Sequence, residues 1–139
     1  MRPKPTQMNA VSEEHVIARH SILVVEDEPL ILFDTIDMIE DEGFEAFEAA
    51  NAAKALAVLE QHPYIDVLFT DIDMPGEMDG LALAQIVRKR WPDIAIVIVS
   101  GHHRPIGPEI PQGGKFLPKP YVREAVLRAL KDVLKSLDD

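Results

Sequence analysis

Apolar positions along this chain follow two alternating rhythms. "SILVV" (residues 21–25), "DVLFT" (66–70) and "IAIVIVS" (94–100) are nearly continuous apolar, β-branched runs of strand length. Between and after them, "PLILFDTIDMIEDEG", "AAKALAVLEQH", "GLALAQIVRKRW" and "YVREAVLRALKDVLKSL" place apolar residues at helical spacing. "FEAFEAA" (44–50) alternates as a short strand does, and "KFLPK" (115–119) reads as a fifth. Boundary residues agree with these periods. Pro29 suits the first turn of the first helix, and Gly43 its end. Asn51 caps the second helix, whose apolar face is Ala55, Leu56, Val58 and Leu59; Asp79 caps a third that begins at Gly80 and stops before Pro92. The closing helix offers Val122, Ala125, Val126, Ala129, Val133 and Leu137 as core, with Leu127, Leu130 and Leu134 widening the stripe; a wide buried face is favoured over a docking surface.

Strands apolar on both faces and regularly separated by helices call for a parallel sheet covered on both sides. The expected fold is α/β, a doubly wound five-stranded parallel sheet, flavodoxin-like if its strands lie in the order 2-1-3-4-5. One connection breaks the alternation. "GHHRPIGPEIPQGG" (101–114) carries Pro105, Pro108 and Pro111 with Gly107, Gly113 and Gly114, which rules out a helix of several turns and leaves a loop or a single turn where the fourth helix belongs.

Length adds that 139 residues make one domain, taken as 20–139, preceded by a flexible extension over 1–19 with room for a short helix at 12–18. The formal net charge of −10 argues against direct nucleic-acid binding, which wants a basic face. Without cysteine there is no disulfide, thiolate metal site or Cys nucleophile, and a reducing, cytoplasmic setting fits. No stretch reaches the roughly 18 apolar residues of a membrane span, so no membrane partner is expected.

In an open parallel sheet, ligands gather beyond the carboxyl ends of the strands. The residues there are Glu26 and Asp27 after the first strand, Asp71 after the third, Ser100 after the fourth and Lys119 after the fifth. Taken singly, each has a plain explanation: acids at a helix start, a strand-end hydroxyl, a surface lysine beside proline. Taken together in the expected strand order, they converge as three carboxylates, a hydroxyl and an ammonium. Clustered carboxylates repel unless a cation joins them, and an all-oxygen set with room for water and phosphate oxygens favours Mg2+. Asp71 could then take a phosphoryl group as nucleophile, with Lys119 and Ser100 neutralising the oxygens. Neither GxxxxGK[ST] nor GxGxxG occurs, so the phosphoryl donor must be another protein or a small acyl or amido phosphate.

The motifs "LVVEDE", "DVLFTDIDMPGEMDG", "IVIVSG" and "KFLPKP" resemble those of response-regulator receiver domains of two-component signalling, over about residues 20 to 138. The resemblance implies that Asp71 is the phosphoacceptor and that Glu26, Asp27, Asp71 and the backbone carbonyl of Asp73 bind Mg2+. It implies that Ser100 and Lys119 contact the phosphoryl group, that Phe116 is the aromatic switch residue partnered by Ser100, and that the Lys119-Pro120 peptide is cis. Such a domain is not a turnover enzyme; it is phosphorylated by a sensor histidine kinase or histidine phosphotransfer protein, and slowly loses the group by itself. Because the chain stops with its last helix, it is expected to signal by contact with a protein target that the sequence does not name, as a stand-alone unit or as a receiver excised from a hybrid kinase.

The chain departs from the family pattern in four places. Glu26 stands where Asp is commoner, "MPGEMDG" is one residue longer than usual, Phe116 has no hydroxyl, and 101–114 does not resemble the fourth helix. That face serves output or homodimerisation in many receivers, so either use remains open. Glu77 reads as solvated, the Asp73 side chain as part of a turn, His102-His103 as exposed polar residues, and Trp91 and Tyr121 as helix-end packing. Two other classes compete. "DIDMP" superficially resembles the nucleophile motif of haloacid-dehalogenase-like phosphatases, though their late acidic metal motif is absent. A flavodoxin-like FMN carrier would need a hydroxyl- and Gly-rich loop after the first strand, which the chain lacks.

Overall fold

The computed structural model describes residues 19–138. The extension over 1–18, with its expected short helix, lies outside the described residues, as does the side chain of Leu137. Strands β1 (Ser21–Val25), β2 (Glu45–Ala49), β3 (Val67–Asp71), β4 (Ala95–Ser100) and β5 (Lys115–Pro118) form one parallel sheet in the order β2-β1-β3-β4-β5. Helices α1 (Pro29–Asp41), α2 (Ala52–Gln61), α3 (Gly80–Arg90) and α4 (Arg123–Asp138) complete it.

The period-two alternation of the strands divides the core. Leu23, Val25, Leu68, Ile96 and Ile98 face α2 and α3, whereas Ile22, Val24, Val67, Phe69, Val97 and Val99 face α1 and α4. All of these are at most 1 % exposed, as the apolar runs require. Helix ends follow the local chemistry. Asn51 and Asp79 accept from the backbone N–H groups of Lys54 and Ala82, each at 2.9 Å. Gly43 ends α1 at φ +93°, a left-handed conformation that favours glycine.

Residues 101–114 form a single 3-10 turn, Gly107–Glu109, in an otherwise irregular segment. Helix α3 holds it by side-chain donors. Gln85 Nε2 donates to the Glu109 carbonyl at 3.0 Å and Arg88 Nη2 to the Gln112 carbonyl at 3.1 Å, while Arg88 Nη1 donates to the carbonyls of Pro92 (3.0 Å) and Ile94 (2.8 Å) in the turn between α3 and β4. Ile110 packs on the core at the α2 and α3 side, and Pro111 is buried. The segment thus covers the sheet where a fourth crossover helix would lie.

Helix α4 corrects one expectation. It begins at Arg123, leaving Val122 ahead of it and 62 % exposed rather than in the core. Leu130 and Leu134 are buried beside Val126, Ala129 and Val133, so the wide stripe is core at those positions, and Leu127 is half-buried. Strand β5 ends at Pro118, so Lys119 directly follows it instead of closing it.

Candidate functional site

Four of the five strands bring polar groups to the carboxyl edge of the sheet: Glu26 and Asp27 follow β1, Asp71 ends β3, Ser100 ends β4, and Lys119 follows β5. Beyond β1, Glu26 is fixed by its N–H donating to the Ala49 carbonyl at 3.1 Å, while its Oε2 accepts from the Glu28 N–H at 3.0 Å. Its side chain turns inward, and the residue is 3 % exposed. Asp71 is the last residue of β3, paired in register with Val99, and is 2 % exposed. The main chain after it is held by the Ile72 N–H on the Val99 carbonyl at 2.9 Å and the Gly80 N–H on the Ile72 carbonyl at 3.0 Å.

Gly80 lies so close to that turn that a Cβ there would fall on the Asp71 carbonyl oxygen. The start of α3 therefore sits against the acceptor residue, a closeness only glycine permits. The sequence reading gave Gly80 no role beyond opening a helix. Its position directly after the Asp79 cap is the available signal.

Glu26, Asp27 and Asp71 each offer a carboxylate oxygen within 4.8 Å of the others; the first and last are buried and Asp27 is exposed. Lys119 follows β5 and reaches both buried acids, with Nζ donating to Glu26 Oε1 at 2.8 Å and Asp71 Oδ2 at 3.0 Å. Burial raises the Glu26 and Asp71 carboxyls above their ordinary values, against the pull of the Lys119 hydrogen bonds. Burial alone would lower the Lys119 ammonium, but hydrogen bonds to Glu26 and Asp71 outweigh it and push it up to about 12. Two buried anions on one ammonium leave the group short of positive charge. An all-oxygen set of this kind suits a hard divalent cation.

The Lys119-Pro120 peptide is cis, and the Lys119 N–H donates to the Ser100 carbonyl at 3.0 Å. Ser100, 2 % exposed, sits at the same edge. Its hydroxyl donates to Asp73 Oδ2 at 2.8 Å and accepts from the N–H groups of His102 (3.2 Å) and His103 (2.9 Å). The Asp73 side chain is therefore engaged rather than a mere turn residue, which corrects the sequence reading. Its N–H also donates to Asp71 Oδ1 at 3.2 Å. The His103 ring lies 3.5 Å from Glu109 Oε1, within the irregular segment.

Phe116 is not drawn into the acid cluster. It packs half-buried at the edge of the core, with the Arg104 guanidinium 5.9 Å from its ring. Glu77 is exposed, and Trp91 packs on the core under the Arg90 guanidinium at 4.4 Å.

The acids open into a cleft of about 670 Å³ that also takes in Ile31, Thr35, Met38, Pro120 and Tyr121. Tyr121 packs its ring edge-on against Phe69, centroids 5.8 Å apart, and its hydroxyl lies 2.8 Å from Thr35 Oγ1. Helix-end packing accounts for the ring alone, and no sequence signal linked the hydroxyl to Thr35, because the two lie on different elements.

Residues 22–131 match the response regulator receiver domain family. The chain is 32 % identical over 122 residues to the sensor kinase CckA of Brucella abortus, covering 85 % of this chain and 13 % of that protein. It is 39 % identical over 85 residues to the nitrogen assimilation regulatory protein NtrX of Azorhizobium caulinodans, covering 60 % of this chain and 18 % of that one. The chain thus spans less than a fifth of either relative. Among solved structures, a CheY-like receiver domain protein from Methanospirillum hungatei aligns with a TM-score of 0.77 at 25 % identity, over 87 % of this chain and 98 % of that one. The receiver domain of the hybrid histidine kinase CckA aligns at 0.72 and 30 % identity, over 82 % and 98 %. The phosphatase and flavin-carrier alternatives give way to these matches, and the Asp73 carboxylate, second acid of the phosphatase-like motif, is turned to Ser100. With the sheet order, the strand-end chemistry and the family match in agreement, the chain belongs to the response regulator receiver domains.

Proposed function

We propose that Asp71 accepts a phosphoryl group from a phosphohistidine on a sensor kinase or phosphotransfer protein. The observation that carries this reading is the buried Asp71 carboxylate held with Glu26 on Lys119, with Asp27 alongside, in a chain of this family. In the transfer, an Asp71 oxygen forms a bond to phosphorus as the bond from phosphorus to the donor imidazole nitrogen breaks. The imidazole leaves with that electron pair, so no further acceptor is needed. Lys119 bears on the transferred oxygens from where it already contacts Asp71. The Ser100 hydroxyl, now on Asp73, must change acceptor to donate to the phosphoryl group.

Glu26, Asp27 and Asp71 have the donor chemistry to hold Mg2+, with the Asp73 carbonyl as the further ligand the resemblance implies. When bound, the ion supplies positive charge to an oxygen-rich centre that one ammonium leaves under-neutralised. Among the described residues, the exposed large apolar side chains Leu30, Phe33, Ile106 and Val122 all lie on segments that leave the carboxyl ends of strands. Leu30 and Phe33, on the helix that follows Asp27, are the apolar surface this reading assigns to contact with a protein donor. No helix among the described residues is long and apolar enough to cross a membrane, and a cytoplasmic kinase partner fits this reading.

Asp71→Asn tests the assignment. Acid-labile incorporation of phosphate from acetyl phosphate with Mg2+ should disappear; persistent labelling of the variant would sink the mechanism. Stability should be kept or increased. Burial raises this carboxyl above its ordinary 3.8, so folding favours the protonated form. That favourable contribution is complete below the unfolded value and is lost as pH rises through the folded one. At neutral pH the charge is a cost that Asn removes.

A further inference from the structure

Lys119 has a flexible four-carbon stem, so an ammonium held on two particular oxygens needs its backbone fixed on both sides. On one side this is plain: the Lys119 N–H donates to the Ser100 carbonyl at 3.0 Å. Two residues later, Tyr121 enters the core at the α1 and α4 side and packs edge-on against Phe69. Phe69 lies two positions before Asp71 on β3, and so on the same face of the strand.

The hydroxyl of Tyr121 completes the tie. Thr35, 1 % exposed on α1, donates its one hydroxyl proton to the Ile31 carbonyl at 2.9 Å. Its oxygen can therefore only accept across the 2.8 Å to Tyr121, and Tyr121 must be the donor. The bond spans the cleft from the turn after Lys119 to the helix that follows Glu26 and Asp27.

We propose that the hydrogen bond from Tyr121 to Thr35 is a strut that positions Lys119 for phosphoryl transfer, making both residues positioning residues rather than catalytic ones. This rests on the reading of Asp71 as phosphoacceptor. Tyr121→Phe removes the donor and keeps the ring; Thr35→Val removes the acceptor and keeps the shape. Each variant, and the pair combined, is compared with the full wild-type chain in two measurements. The first is the initial rate of labelling by acetyl phosphate with saturating Mg2+. The second is hydrogen exchange of the Lys119 side-chain ammonium by nitrogen-detected NMR, which needs no phosphoryl chemistry and which a merely structural role would not move.

Each single variant should label about three- to tenfold more slowly, the range one hydrogen bond commands, with faster ammonium exchange. The double variant should be no slower than the slower single one. Unchanged ammonium exchange in both single variants, or wild-type labelling rates in both, overturns the strut while leaving Asp71 as acceptor. Fully multiplicative losses in the double variant overturn it too, since the two groups would then act separately. If the wild type itself takes no label, the reading of Asp71 fails and the strut's role in transfer fails with it. Should Tyr121→Phe not fold, Thr35→Val decides by the same two measurements.

Discussion

On the β1 and β3 side of the cleft, the carboxylates stand at the ends of buried strands; three residues lead from β1 into α1, and the longer loop 72–79 after β3 is closed at its base by main-chain hydrogen bonds. Main-chain hydrogen bonds fix Glu26 to Ala49 and Ile72 to Val99. Beyond β4, residues 101–114 have one 3-10 turn and owe their course largely to side chains of α3 donating to their carbonyls. The two sides therefore respond to different damage. Asp71 lies in a strand and Glu26 directly after one, each with main-chain hydrogen bonds beside it, so changes that disturb the main chain should displace them most. The irregular segment is held at a few points, each of which one substitution removes.

The largest effect should come from Gly80→Ala. The new methyl group would meet the Asp71 carbonyl and the Ile72 Cα, both main chain, and neither can rotate aside. Overpacking of this kind should cost about 3 kcal/mol or more, read as a lower midpoint in urea. Labelling of Asp71 should slow in the protein that remains folded, because the acceptor's own peptide is displaced. Full stability in this variant would show that the acid side is more deformable than its hydrogen bonds indicate.

Arg88→Ala strikes the other side. Burial lowers the Arg88 guanidinium, which means that its charge is held there at a cost its three carbonyl partners must offset. Removing it takes the Arg88 donor from the partly buried Ile94 carbonyl and from the loop's Gln112 carbonyl, at a cost of about 2 kcal/mol. Amide exchange over 101–114 should quicken, while labelling by acetyl phosphate stays within about threefold of wild type, the lower end of what one hydrogen bond is worth. Arg88→Lys should recover only part of the loss, since one ammonium cannot span the carbonyls that the two guanidinium nitrogens reach. Loss of labelling equal to that of Gly80→Ala would remove the distinction between the two sides.

The same contrast explains what could be read from the chain. Element type and core faces follow from local period, and once the strand order 2-1-3-4-5 is supposed, the approach of Glu26, Asp27, Asp71 and Lys119 follows from the rule that parallel strands present their carboxyl ends together. Asn51 and Asp79 announce their caps by type and place. The Asp73 to Ser100 bond, the Thr35 acceptor for Tyr121 and the Arg88 clamp join residues on different elements. No local pattern marks them. Val122 misled because helical spacing assigned it to a helix that begins one residue later. For 101–114, proline and glycine content excluded a helix, but what holds the segment in its place lies in α3.

Gln85→Ala should give the smallest effect. Its single bond to the Glu109 carbonyl is at the surface, so the loss is about 0.5 kcal/mol and the midpoint barely shifts. The informative measurement is local. Glu109 also accepts from the Ile106 N–H at 2.9 Å and lies 3.5 Å from the His103 ring, and the His103 N–H is on the Ser100 hydroxyl. If the segment moves as one piece, losing Gln85 should quicken exchange at Ile106 and His103 together. If only Ile106 responds, the Ser100 end is anchored independently, and the irregular side of the cleft is two pieces joined at His103 rather than one.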